Sequence, residues 1–169
     1  RLRRLSDGRE TLIVTDEQSR PVSMRTADPD RPSIVSLDDL LVPERPGFLH
    51  SHITDASLSA EDLAVLFQSG GHAITAISSG GSIWRATRIP GGLLRPALIA
   101  MRSRLALVGD ELGRNEHGAE VFMHARLLYL EKQGIITYSW HMSERVRQIM
   151  DANADLIRRL SDDDLYPAQ

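Results

Sequence analysis

The chain has 169 residues, 41 % hydrophobic and 25 % charged, a balance that suits one ordinary globular domain with a real core and excludes a disordered chain. With 20 basic against 23 acidic side chains the formal net charge is −3, so no global attraction to nucleic acid or to a membrane surface is implied. The absence of cysteine excludes disulfides and thiolate metal sites, leaving any metal to histidine and carboxylate.

No apolar run approaches a membrane span and the first residues lack the apolar core of a signal peptide, so a cytoplasmic setting is expected. Arg1 in place of Met suggests a piece of something longer. Arg1 to Arg9 reads as a solvated basic helix tail ending near Asp7-Gly8. Thr11 to Thr15 is β-branched and apolar and predicts a buried strand; Asp16 to Ser19 supplies a turn, and Pro21 to Thr26 returns as a second strand. From Ala27 to Gly47 come four of the eight prolines, which predict a loop. A short Ile34-Val35 strand is expected to interrupt it, and Ser36 and Asp39 have the spacing of a capping box for one or two helical turns. This excursion can be one wall of a substrate groove or an ordinary connection.

Phe48-Leu49 then lead into His50-Ser51-His52. If the apolar pair ends a strand, the two imidazoles project from the same face, because side chains alternate with a period of two. Leu63, Leu66 and Phe67 predict a helix that stops at Gly70-Gly71, and Ala73 to Ile77 with Ile83 to Arg88 predict a hairpin around Ser78 to Gly81. Beyond Gly91 the texture turns helical: Pro96 to Leu112, Gly118 to Lys132, one strand at Ile135 to Trp140, then a helix from Ser143 with Val146, Ile149, Met150, Asn153, Ile157 and Leu160 along one side. Asp162 to Pro167 is a polar tail. The order predicts an α/β (α+β) sandwich with a mixed sheet over residues 1–90 and a mainly helical extension over 91–169. The extension packs on the core or on a partner.

His50, His52 and Asp62 are a recognised catalytic zinc set, two imidazoles and one carboxylate with a fourth position open. Ser59 to Asp62 also reads as a capping box at a helix start, and the two roles can coexist. The other histidines are weaker candidates: His72 can approach from the next strand or sit on a turn, and His117, His124 and His141 carry no motif. Trp84 and Trp140 read as core or contact residues. Gly80-Gly81 and Gly91-Gly92 lack the context of a phosphate loop.

The pattern His50-x-His52, six residues, then Ser59-x-x-Asp62 resembles the signature of the JAMM (JAB/MPN) metalloprotease family, nearest in texture to its bacterial RadC-like branch. Glu10, just before a strand and 40 residues before His50, resembles the family's upstream glutamate. The likeness covers roughly Glu10 to Arg88 and departs at Ile53, where the family usually has proline. It implies a cytidine-deaminase-like JAB/MPN sandwich with Zn2+ on His50, His52 and Asp62. Glu10 would then be the general base and Ser59 would help hold the oxyanion. The implied activity is hydrolysis of a peptide or isopeptide bond in a protein or peptide substrate, including one with a ubiquitin-like tail. A non-catalytic JAB-like scaffold and a RadC-like nucleic-acid-associated role are the alternatives, and the net acidity does not favour nucleic acid. A helix-borne His-Glu-x-x-His zinc motif is absent, and the chain is too short for an amidohydrolase barrel.

Overall fold

In the computed structural model, residues 8–162 are described. Most of the expected Arg1 to Arg9 helix tail and the tail beyond Asp162 lie outside them. The described residues form six strands and five helices: β1 (Thr11–Thr15), β2 (Pro21–Thr26), β3 (Gly47–His52), α1 (Ala60–Gln68), β4 (Ala73–Ser78), β5 (Ile83–Arg88), α2 (Leu94–Arg114), α3 (Gly118–Lys132), β6 (Ile136–His141), α4 (Glu144–Ala152) and α5 (Ala154–Ser161). The chain is mixed α/β, as its element order predicts.

All six strands form one mixed sheet in the order β2-β1-β3-β4-β5-β6. β3 and β4 are parallel, with α1 as their crossover, and every other pair is antiparallel. Register sets which side chains share a face. Val14, Phe48, Ile74, Ala86 and Tyr138 form one row straight across five strands, and all five are buried. Leu12, His50, Ala76, Trp84 and Trp140 form the next row on that face, two residues along each strand. The intervening row, Ile13, Leu49, Thr75, Arg85 and Ser139, belongs to the opposite face and is partly or fully exposed. One face therefore carries the core, and burial follows the period of two.

α3 covers that buried face. His124 packs among Trp84, Tyr138 and Trp140 at centroid separations of 5.9, 5.6 and 5.2 Å, and α2 and α5 pack on α3 in turn. With the sheet on one side and helices on the others, its run from His124 to Leu127 is buried throughout. β6, from beyond residue 90, is the edge strand of the same sheet as β1 to β5. Trp140, read as core or contact, remains 44 % exposed because it stands on that edge.

Three local expectations are corrected. Ile34-Val35 is not a strand: the loop meets β2 through side chains, Ser23 Oγ donating to Leu41 O at 2.8 Å and Arg25 Nη1 to Ser36 O at 3.4 Å. Ser36 starts no helix, because its hydroxyl accepts from Asp38 N at 3.0 Å and donates to Asp38 Oδ2 at 2.6 Å, and Asp39 turns left-handed at φ 59°. The last helix is two, broken at Asn153, whose Nδ2 donates to Ile149 O at 2.8 Å and whose Oδ1 accepts from Asn115 at 2.5 Å. None of the helices among the described residues is long and apolar enough to cross a membrane.

Candidate metal centre

β3 is buried along almost its whole length, and its last three residues are His50, Ser51 and His52. The two histidines share the core face; Ser51 points the other way, where its Oγ accepts from Thr11 N at 2.9 Å. After His52 the chain turns through residues 53–58 to Ser59, the N-cap of α1. There the capping box is complete: Asp62 N donates to Ser59 Oγ at 3.0 Å, and Ser59 N donates to Asp62 Oδ2 at 2.7 Å. The box holds the Asp62 carboxylate in one rotamer, with Oδ1 3.1 Å from His50 Nε2 and Oδ2 3.5 Å from His52 Nε2. The two Nε2 atoms are 2.7 Å apart.

A helix cap and a candidate ligand thus coincide in one side chain. Among the described residues, His50, His52 and Asp62 are the group able to hold a metal ion, each offering one ligand atom within 4.8 Å of the others. His52 Nδ1 donates to Ala56 O at 3.0 Å, which fixes the tautomer that leaves Nε2 as a lone-pair donor. His50 Nδ1 is buried and has no partner within the protein. Three converging donors of this kind can share one proton or one divalent cation, and a two-imidazole, one-carboxylate set suits zinc. The residues fit the group.

The electrostatics follow from burial. Burial pushes Asp62 up, but hydrogen bonds from His50 and His52 outweigh it and hold the carboxyl far below the usual carboxylate range. Burial pushes His52 down, and the Asp62 carboxylate more than reverses this, so its pKa is raised. Glu10 is raised, chiefly by burial, against the opposing pull of His52 and His50 and a backbone hydrogen bond from Ile53.

Glu10 reaches the site through strand register. Leu12 lies opposite His50, and Glu10, two residues before Leu12, lines the same cleft as both histidines. Its backbone is held on both sides by the proline-rich loop, Glu10 N donating to Pro32 O at 2.7 Å and Ala27 N to Glu10 O at 2.8 Å. Glu10, His50, His52, Ser59 and Asp62 all line one cleft of about 530 Å3. The loop also lines it, through Ser33, Ile34, Val35 and Leu37, so it is a wall of the cleft and not only a connection.

His72 is not part of the cluster. It precedes β4, at the end of the parallel pair away from His52, and its Nδ1 meets Arg45 O at 3.1 Å. His117 precedes α3, His124 belongs to the aromatic cluster and His141 ends β6.

Two supporting residues are invisible to motif reading. Asp55 accepts hydrogen bonds from Ser78, at the end of β4, and from Ser143 Oγ at 2.7 Å; bonds from these serines and Ser82 outweigh burial and lower its pKa. Arg126 of α3 is buried and donates to Leu58 O at 3.1 Å, fixing the residue before the Ser59 cap. In sequence Asp55 is an ordinary turn residue and Arg126 an ordinary helix residue, so neither carries a signal. Comparisons with family models, with curated proteins and with solved structures gave no match.

Proposed function

We propose that the chain is a zinc-dependent hydrolase of the JAMM type that cleaves a peptide or isopeptide bond. The observation that supports this reading best is the meeting of Glu10 with His50, His52 and Asp62 in one cleft, from segments 40 residues apart. On this reading the sheet with α1 and α3 is the core of a JAB/MPN sandwich. The C-terminal helices outside that core are left for partner choice.

His50, His52 and Asp62 would hold the zinc. Bound there, it supplies a Lewis acid that polarises an amide carbonyl and makes water a usable nucleophile near neutral pH. Glu10 accepts the proton and later delivers it to the leaving amine. Ser59 Oγ accepts from Asp62 N, so its own hydrogen remains to donate to charge developing on the carbonyl oxygen. Arg126, by holding Leu58, positions that hydroxyl. The half-buried cleft limits competition from bulk water.

The test is metal analysis joined to peptide hydrolysis. The purified protein is expected to carry one zinc, to lose it in His50→Ala and Asp62→Ala, and to hydrolyse peptides. Glu10→Gln should keep the zinc and lose roughly 100- to 10,000-fold in rate. Stoichiometric zinc without any hydrolysis would favour the scaffold alternative, and iron in place of zinc would sink the assignment.

A further inference from the structure

The cleft has two unlike sides. One carries the carboxylates Glu10, Glu61 and Asp62; the other is the 27–46 loop, presenting Ile34, Val35 and Leu37. This apolar side is not a loose flap. Val35 and Leu37 pack against the core, and Pro32 O is bonded to the backbone of Glu10. Ile34, held between these anchors, is 59 % exposed beside the buried polar cluster. Leaving that side chain in water contributes nothing to folding, whereas an apolar group laid on it would remove both surfaces from water.

Charge sharpens the selection. Among the described lining residues there is no lysine or arginine. On the loop side the lining offers only Ser33 beside these apolar groups, so an acidic side chain laid there would lose hydration without meeting a cation, the zinc's charge being taken up at the reacting carbonyl.

Resting on the hydrolase reading above, we infer that the cleft takes an internal or isopeptide amide in an extended segment. Beside the scissile bond that segment carries a large apolar side chain, seated on Ile34, Val35 and Leu37. Segments with an acidic residue at that place are rejected. The loop is the specificity element of the site, and its selectivity belongs to the apolar wall, whereas bond cleavage belongs to Glu10 and the metal ligands.

The experiment uses the zinc-loaded full chain and internally quenched peptides that differ at one residue flanking the cleaved bond: Leu, Ala, Lys or Asp. Binding of the same peptides is measured in parallel by fluorescence anisotropy with Glu10→Gln. The Leu peptide should exceed the Ala peptide by about tenfold in kcat/KM and in affinity, and the Asp peptide should be refused. Ile34→Asp should erase the Leu preference and improve the Lys peptide, with zinc content and melting temperature unchanged because the side chain is exposed. Cleavage or binding indifferent to the flanking residue, or a Leu preference that survives Ile34→Asp, overturns the inference. Selective binding with no cleavage removes the hydrolase reading and upholds the wall's selectivity; cleavage with no selectivity does the reverse.

Discussion

Ser143 Oγ donates a 2.7 Å hydrogen bond to Asp55 Oδ2 across 88 residues of chain, tying the N-cap of α4 to the loop that follows His52. Ser78 donates to the other carboxylate oxygen, and Gly80 lies so close that a Cβ there would strike the carboxylate. The next residue, Ala56, supplies the carbonyl that holds His52 Nδ1. The C-terminal half therefore braces the candidate metal ligands from behind.

Asp55→Ala is expected to weaken zinc binding by roughly 10- to 100-fold, the usual cost of losing support behind a metal ligand. Ser143→Ala removes one of the donors and should have a smaller effect in the same direction. Titration calorimetry at fixed pH reads both. An Asp55→Ala protein with the wild-type zinc affinity would show that the brace does not reach His52.

Ser59 and Asp62 share a helix cap but only Asp62 faces the histidines. Ser59→Ala should cost about 1 kcal/mol of stability in metal-free protein and leave zinc stoichiometry intact. Asp62→Ala should cost a similar amount and abolish zinc binding. Urea melts with and without chelator, beside metal content, separate the two roles; loss of zinc in Ser59→Ala would contradict the division.

Ile53 stands where the resemblance expects proline, and its backbone N–H acts to lower the Glu10 pKa against burial. Proline has no N–H to give. Ile53→Pro should therefore raise the Glu10 pKa further and move the acid limb of the pH–rate profile upward, with zinc retained. An acid limb unmoved in Ile53→Pro would mean that this N–H does not act on the base.

His124 is buried among aromatic rings, and burial pushes its pKa down to about 4 from an ordinary 6.5. As pH falls the unfolded chain takes up this proton first. Stability is then lost from about pH 6.5 downward and the loss is complete below about pH 4, reaching about 3 kcal/mol. Above neutrality there is no effect. The difference in unfolding free energy between wild type and His124→Gln, measured in chelator from pH 7.5 to 4, should shrink or reverse toward acid; a pH-independent difference would exclude His124 as its source.

Much of this molecule is legible locally. Alternation of side chains places His50 and His52 on one face of β3, and the Ser59 to Asp62 spacing announces both a helix start and a carboxylate near them; each depends only on neighbouring residues and backbone period. The six strands and the helices before Asn153 follow from the same short-range rules. Where a polar side chain competes for the backbone the rules fail: Ser36 bonds Asp38 instead of capping a helix, and Asn153 splits a helix that its apolar stripe presents as continuous.

His50, His52 and Asp62 were thus determined as a group by sequence, since ten residues of strand, turn and helix cap suffice to bring them near one another. Glu10 was suggested by resemblance, and only the tertiary structure brings it into the cleft of His50 and His52. The Asp55 brace, the Arg126 hold on Leu58 and the wall of Ile34, Val35 and Leu37 were decided by tertiary structure alone. They join segments far apart in the chain, and no local period or spacing records which distant donor will meet a given carboxylate once a common core is packed.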